Sequence, residues 1–159
     1  MKNLMKYAVM IAVIIIIAFS VLFLWQNAAK GGEIKIGFIG PLTGGSPVQW
    51  GQGSLNMIQM AADEINVQGG IKDKKIIIVP EDGKCQSNDA IAAARKLIDV
   101  DGVKFILGGH CSVETSAIAP ILEENRIFGL AGVSTADGIV SKYSYAFRTS
   151  PPNEEQGRL

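Results

Sequence analysis

The chain has 159 residues, with 15 Lys and Arg set against 15 Asp and Glu, so its formal net charge is zero. That balance supplies neither the basic footprint of a nucleic-acid binder nor an acidic tail. Two cysteines and one histidine are too few for a thiol-rich metal centre.

From Ala8 to Trp25 the chain carries no charge and is rich in Ile, Val, Leu and Phe, with Lys2 and Lys6 ahead of it. A charged start followed by an apolar run of about 18 residues marks a secretory signal or a membrane anchor, and this length favours the anchor. The following WQNAAKGG places Gln26 and Asn27 where a cleavage site prefers small residues. Residues 1–32 are read as an uncleaved anchor and linker, with a cleaved signal as the alternative. Either way the lysines stay inside and the remaining chain of about 125 residues, enough for one compact domain, is exported.

Ile34 to Ile39 is mostly apolar, as expected of a strand buried on both faces. Gly40 to Gly53 is dense in Gly, Pro and Thr and reads as a long loop carrying one aromatic, Trp50. It holds neither a phosphate-loop GK[ST] nor a GxGxxG turn. Helical spacing returns from Ser54 to Val67, with Leu55, Ile58, Ala61, Ala62 and Ile65 inward, and Gly69-Gly70 ends it. Lys75 to Val79 predicts a second strand, followed by the acidic loop PEDGKCQSND, and Asn88 or Asp89 caps the next helix. Val103 to Leu107 predicts the third strand, broken by Gly108 and Gly109. Ser112 then opens an amphipathic helix with Val113, Ala117, Ile118, Ile121 and Leu122 on one face, and Pro120 predicts a kink or a break near Ser116. Ile127 to Ala131 is the fourth strand, GVSTADG its exit loop, and Tyr145 to Arg148 a short fifth strand.

Strands alternating with helices imply right-handed crossovers and a doubly wound parallel α/β sheet in three layers. Ligands bind such sheets outside the carboxyl ends of the strands. There the third strand feeds a helix N-terminus, where free N–H groups and the positive end of the dipole favour a carboxylate or phosphate. Ser112 adds a hydroxyl donor, or serves only as the N-cap of its helix. Ser134 and Thr135 lie in a turn sequence, where hydroxyls also bond nearby backbone, and Trp50 can be a packing residue. In an oxidising compartment the isolated pair Cys85 and Cys111 points to a disulfide. His110 beside Cys111 does not make a catalytic dyad, because adjacent residues at a strand end rarely face each other.

The ordered set IKIGFIGPLTG, AADEINVQGGIKDKKIIIVPEDGKC, FILGGHCSVETSAIAPILEENRI, AGVSTADG and FRTSPPNEEQG resembles the N-terminal lobe of the periplasmic branched-chain amino acid-binding proteins. These are the leucine/isoleucine/valine receptors of ABC transporters. The resemblance runs from about Glu33 to Gly157. It implies a type I periplasmic binding protein fold of which residues 33–159 form one incomplete lobe, the second lobe being absent. It implies that Ser112 holds a ligand carboxylate, that the Val133 carbonyl and the Thr135 hydroxyl meet ammonium and carboxylate with Ser134 between them, and that Trp50 packs on the ligand side chain. It also implies the pairing of Cys85 with Cys111.

The expected function is that of a solute-binding component of an amino-acid uptake system. It is attached outside the membrane or periplasmic, is partnered by an ABC permease and a small-molecule ligand, and has no cofactor and no nucleic acid. A ligand-sensing ectodomain of a signalling receptor is the alternative, and a linked kinase gene rather than permease and ATPase genes would favour it. An enzyme on the same kind of sheet is disfavoured by the missing phosphate loop, GxGxxG turn and nucleophile–base pair.

Overall fold

The computed structural model describes residues 2–28, 31–44 and 47–158, and within the first helix the side chains of residues 6–7 and 10–22. The chain divides into two compact units, Met1–Gly32 and Glu33–Leu159. The first is a helix, α1 (Lys2–Ala28), whose apolar side chains from Met10 to Leu22 all lie exposed. Among the described residues no helix is long and apolar enough to cross a membrane. The span expected over Ala8–Trp25 lies partly outside the described residues.

The second unit runs β1 (Glu33–Gly40), α2 (Val48–Val67), β2 (Lys75–Asp82), α3 (Ser87–Arg95) with a π-helical turn (Lys96–Val100), β3 (Phe105–Gly108), α4 (Ser112–Asn125), β4 (Phe128–Ala131), β5 (Ala146–Arg148) and α5 (Asn153–Gln156). The five strands form one sheet in the order β2-β1-β3-β4-β5, every neighbour parallel. Alternation along the strands divides the two faces. Gly37 and Ile106 meet Leu97, and Gly129 lies so close to Leu122 that a Cβ there would overlap it, so α3 and α4 cover this face tightly. The core of Ile39, Ala90, Ala94, Leu97, Ile106, Ile118 and Leu122 sits between them. The opposite face presents Phe38, Leu107 and Leu130 toward Ser54, Met57 and Ile58 of α2. Farther along it, Phe105, Phe128 and Phe147 form a half-exposed aromatic row, with ring centroids 6.3 and 5.1 Å apart.

Several local expectations change. The first loop is shorter than expected because α2 already begins at Val48, which puts Trp50 in its first turn. Gly51 allows this, since a Cβ there would collide with the Pro41 carbonyl. In α2 only Ala62 of the five expected inward residues is fully buried, while Ala61 and Ile65 face solvent. The second strand extends to Asp82 through Pro80, which β2 tolerates as an edge strand. Gln86, not Asn88 or Asp89, stands at the N-cap of α3, and Cys111, not Ser112, at that of α4. Pro120 does not break α4, which runs unbroken to Asn125 and ends on Arg126 in the left-handed conformation (φ 53°). Val113 is exposed rather than on the buried face. Gly108 continues β3, at φ 127°, lying so near the Ile39 carbonyl that no side chain fits.

The carboxyl ends of β2 and β3 are fastened to each other. Cys85 and Cys111 are joined in a disulfide with their Cα atoms 5.4 Å apart. Beside it, the wholly buried Glu114 accepts the N–H of Cys111 at 2.8 Å and that of Cys85 at 3.0 Å. Gly83 leaves the space its carboxyl occupies. Burial pushes the Glu114 carboxyl above its usual range and the nearby Asp82 charge adds to this, against the backbone N–H groups that pull it down. The folded protein therefore binds this proton more tightly than the unfolded chain, so the group's contribution to stability falls as pH rises above the ordinary carboxylate range. Thermal unfolding measured across pH should show this slope, and Glu114→Gln should abolish it. The same variant should lower stability by about 1–3 kcal/mol at acidic pH, because its amide NH2 faces a backbone donor.

Candidate functional site

Three strand-exit loops converge at the carboxyl edge of the sheet, and each is held by a named acceptor. The first is tied to the end of β2 by Asp82, which accepts the Leu42 N–H at 2.8 Å, the Lys84 N–H at 3.1 Å and the Thr43 hydroxyl. Burial alone would push the Asp82 carboxyl upward, but these hydrogen bonds, Thr43's foremost, hold it below the usual range. The second loop, Gly108–Cys111, turns into α4. Its Gly109 carbonyl accepts the Thr115 hydroxyl at 2.7 Å.

Ser112 is the first residue of α4, where backbone N–H groups lack an acceptor within the helix. Its Oγ accepts the Ala136 N–H at 3.2 Å and shares a hydrogen bond of 3.3 Å with the Ser134 hydroxyl. A hydroxyl has two acceptor positions and one proton. Ala136 takes one acceptor position, and the Ser112 proton can turn either to Ser134 or outward to a ligand. Of the five residues named from the sequence, the structure thus joins Ser112 and Ser134 directly. Thr135 and Val133 flank Ser134 in the same loop, with Ser134 buried, Thr135 half-buried and Val133 exposed. Among the described residues no group donates to the Val133 carbonyl. Trp50 stands apart in α2, 69 % exposed.

Next to the loop lies an apolar cavity of about 240 Å³ between α2 and the sheet, lined by Phe38, Met57, Ile58, Leu107, Leu130 and Val133 among others. An apolar protein cavity of about 150 Å³ suffices for benzene, so this one has room for a branched aliphatic side chain. Ser112, Thr135 and Trp50 do not line it. Cys85, Cys111 and Glu114 bring their ligating atoms within 4.8 Å of one another, but both sulfurs are spent in the disulfide, which leaves no metal site there.

Two functional groups went unnoticed in the sequence. Glu114 could have been found only as the third residue after an N-cap, a capping pattern masked by Cys at the cap itself. Arg148, at the end of β5, donates from Nη1 to the Ala136 carbonyl at 2.7 Å, and no local signal points to it. His110, set aside from the sequence as a dyad partner of Cys111, is 8 % exposed. Among the described residues its Nε2 is the buried side-chain nitrogen or oxygen without a partner.

Burial holds the His110 imidazole below its ordinary pKa, so it stays neutral in the fold to lower pH than in the unfolded chain. Folding then costs more as pH falls through the ordinary imidazole range, the reverse of the Glu114 slope. His110→Leu should remove this acid sensitivity and should hold or raise stability at neutral pH, by up to about 1–3 kcal/mol, because it removes an unpaired buried nitrogen. Denaturant titration at several pH values measures both.

Residues 33–158 match the family described as periplasmic binding protein. The leucine-specific-binding protein of Salmonella typhimurium strain LT2 is 31% identical over 134 residues, covering 83% of this chain and 36% of that protein. The Leu/Ile/Val-binding protein of Escherichia coli K12 is 32% identical over 135 residues, 84% of this chain and 36% of the other. Among solved structures, the branched-chain amino acid transporter substrate-binding protein LivJ of Streptococcus pneumoniae, in complex with isoleucine, superposes with a TM-score of 0.72 at 28% identity, covering 76% of this chain and 34% of that one. The chain thus spans about a third of the length of the relatives it matches. The parallel sheet is that of one lobe of the type I periplasmic fold, and with the family signature extending over nearly all of its second unit, the chain belongs to the periplasmic binding protein family.

Proposed function

We propose that this chain is the N-terminal lobe of an extracytoplasmic solute receptor serving an ABC-type amino-acid uptake system. Its ligand is an α-amino acid with an apolar side chain. The observation that carries this reading is the Ser112 hydroxyl in the first turn of α4, which accepts the Ala136 N–H, keeps a proton to donate, and stands at a helix N-terminus that favours a carboxylate. The Thr135 hydroxyl is the second carboxylate donor, and the Val133 carbonyl takes the ammonium. The cavity shared with Val133 supplies apolar space for the side chain, and Trp50, exposed in the first turn of α2 and outside the cavity lining, packs on that side chain once the ligand is bound. The named relatives bind leucine, isoleucine and valine, which agrees with that chemistry.

One lobe leaves such a site open to water, where charge-assisted hydrogen bonds are weak. The reading therefore includes a second lobe that closes over the ligand and a permease that receives it. The N-terminal unit is the membrane attachment, with Lys2 and Lys6 inside. What supports this is a helix whose apolar side chains, such as Ile16 and Phe19, are 67 % and 73 % exposed, an arrangement unfavourable in water.

Two measurements test the reading. In the protein with its second lobe restored, calorimetry with L-leucine, L-isoleucine and L-valine should show binding that Ser112→Ala and Thr135→Ala each weaken by roughly 10- to 150-fold, the cost of a hydrogen bond to a charged group. Unchanged affinity in both variants would remove the site assignment. Intact-mass analysis of the membrane fraction should find the N-terminus retained, whereas a mature terminus near Ala29 or Lys30 would make the segment a cleaved signal.

A further inference from the structure

The exit loop of β4 is gripped by the stretch of chain that follows β5. Thr149 donates its N–H to the Ala131 carbonyl at 3.0 Å and its hydroxyl to the Gly132 carbonyl at 3.1 Å, and Ser150 donates to the same carbonyl. The Asn153 N–H reaches the Thr135 carbonyl at 2.8 Å, and the Glu154 N–H reaches Asp137 Oδ1 at 3.1 Å. At the root of this series, Arg148 sits opposite Ala131 in the β4–β5 ladder and donates to the Ala136 carbonyl at 2.7 Å.

Ala136 is thereby held on both sides of its Cα. Its carbonyl is fixed by a guanidinium, the strongest kind of neutral-acceptor hydrogen bond available to a side chain. The peptide preceding it is fixed through the Thr135 carbonyl to Asn153, and its N–H falls on Ser112 Oγ. That last bond occupies an acceptor position of Ser112 and so narrows the directions open to the Ser112 proton.

We infer that Arg148 is a positioning residue of the ligand site: without touching the ligand, it sets the Ala136 backbone that orients the Ser112 hydroxyl toward a carboxylate. The inference rests on the assignment of Ser112 to the ligand carboxylate, but its geometric half can be read without any ligand. It predicts that Arg148 and Ser112 act as one unit, while Arg148 and the remote Trp50 act independently.

The test has two arms, both on the full chain. Amide hydrogen exchange by NMR should show Ala136 exchanging at least about 10-fold faster in Arg148→Met, with core amides such as Phe38 and Ile106 unchanged. Arg148→Lys, which keeps one charged donor, should recover part of the protection. Unaltered exchange at Ala136, or an equal rise at core amides, would overturn the inference. In the second arm L-leucine is titrated by NMR shift changes, which read millimolar affinities. Arg148→Met and Ser112→Ala should each weaken binding by about 10-fold or more, yet the double variant should be little worse than either, whereas Arg148→Met with Trp50→Ala should be additive. Full additivity of Arg148→Met with Ser112→Ala overturns the positioning role. Absence of L-leucine binding in the unaltered chain overturns instead the ligand reading, and the exchange arm still decides for or against Arg148.

Discussion

Glu114 has no solvent exposure, and its two oxygens are satisfied only when the amides of Cys85 and Cys111 are brought to it from the ends of different strands. A buried carboxyl left without such donors is strongly unfavourable, so the fold cannot form α4 in place without also drawing the β2 and β3 exits together. The disulfide joins the same two residues covalently. Its loop of 26 residues restricts the unfolded chain by roughly 3.5 kcal/mol in the chain-entropy treatment. The two restraints act differently: the covalent bond limits the unfolded ensemble, and the carboxyl fixes the orientation of the amides. Ser112, next to Cys111, inherits its position from both.

The layout of the sheet was legible because its strands read as short apolar runs and glycines mark their ends, although only the carboxyl half of β1 is fully buried while β2 and the phenylalanines of β3, β4 and β5 are partly exposed. Ile34–Ile39 and Lys75–Val79 needed no further information. The boundaries of α2 were not legible. Gly51 and Gly53 read as loop residues, yet Gly51 is there to let the helix pass against Pro41. Helical periodicity also overstated burial: α2 covers only part of its sheet face, so Ala61 and Ile65 keep the spacing of core residues without a core to enter. Pro120 was read as a break because its ring removes one bond and crowds one carbonyl, but packing against β4 and α3 keeps α4 continuous.

At the site, the residues that could be named in advance were those whose chemistry is local, a serine at a helix start and hydroxyls in a turn. Glu114 and Arg148 act on backbone groups brought near by tertiary folding, 29 residues away for the Glu114–Cys85 bond and 12 for Arg148–Ala136. No spacing rule reaches across such gaps. Hydrogen-bond direction was equally invisible in the sequence. That the Ser112 oxygen accepts from the Ala136 N–H, with the Ser134 hydroxyl as its neighbour, follows from where those residues are placed.

The outer strands of the sheet carry a consequence of their own. An open parallel sheet ends in rows of unpaired amides and carbonyls that can recruit further strands from other chains. Here β5 is only Ala146–Arg148, and its following segment is already committed to the β4 exit loop. At the other edge β2 is longer, but Pro80 lacks the N–H that an added strand would need, and Lys75 places a charge at its start. Among the described residues, a strand arriving from solvent would find one border too short and the other interrupted, which disfavours strand addition even though an aromatic row lies open on one face.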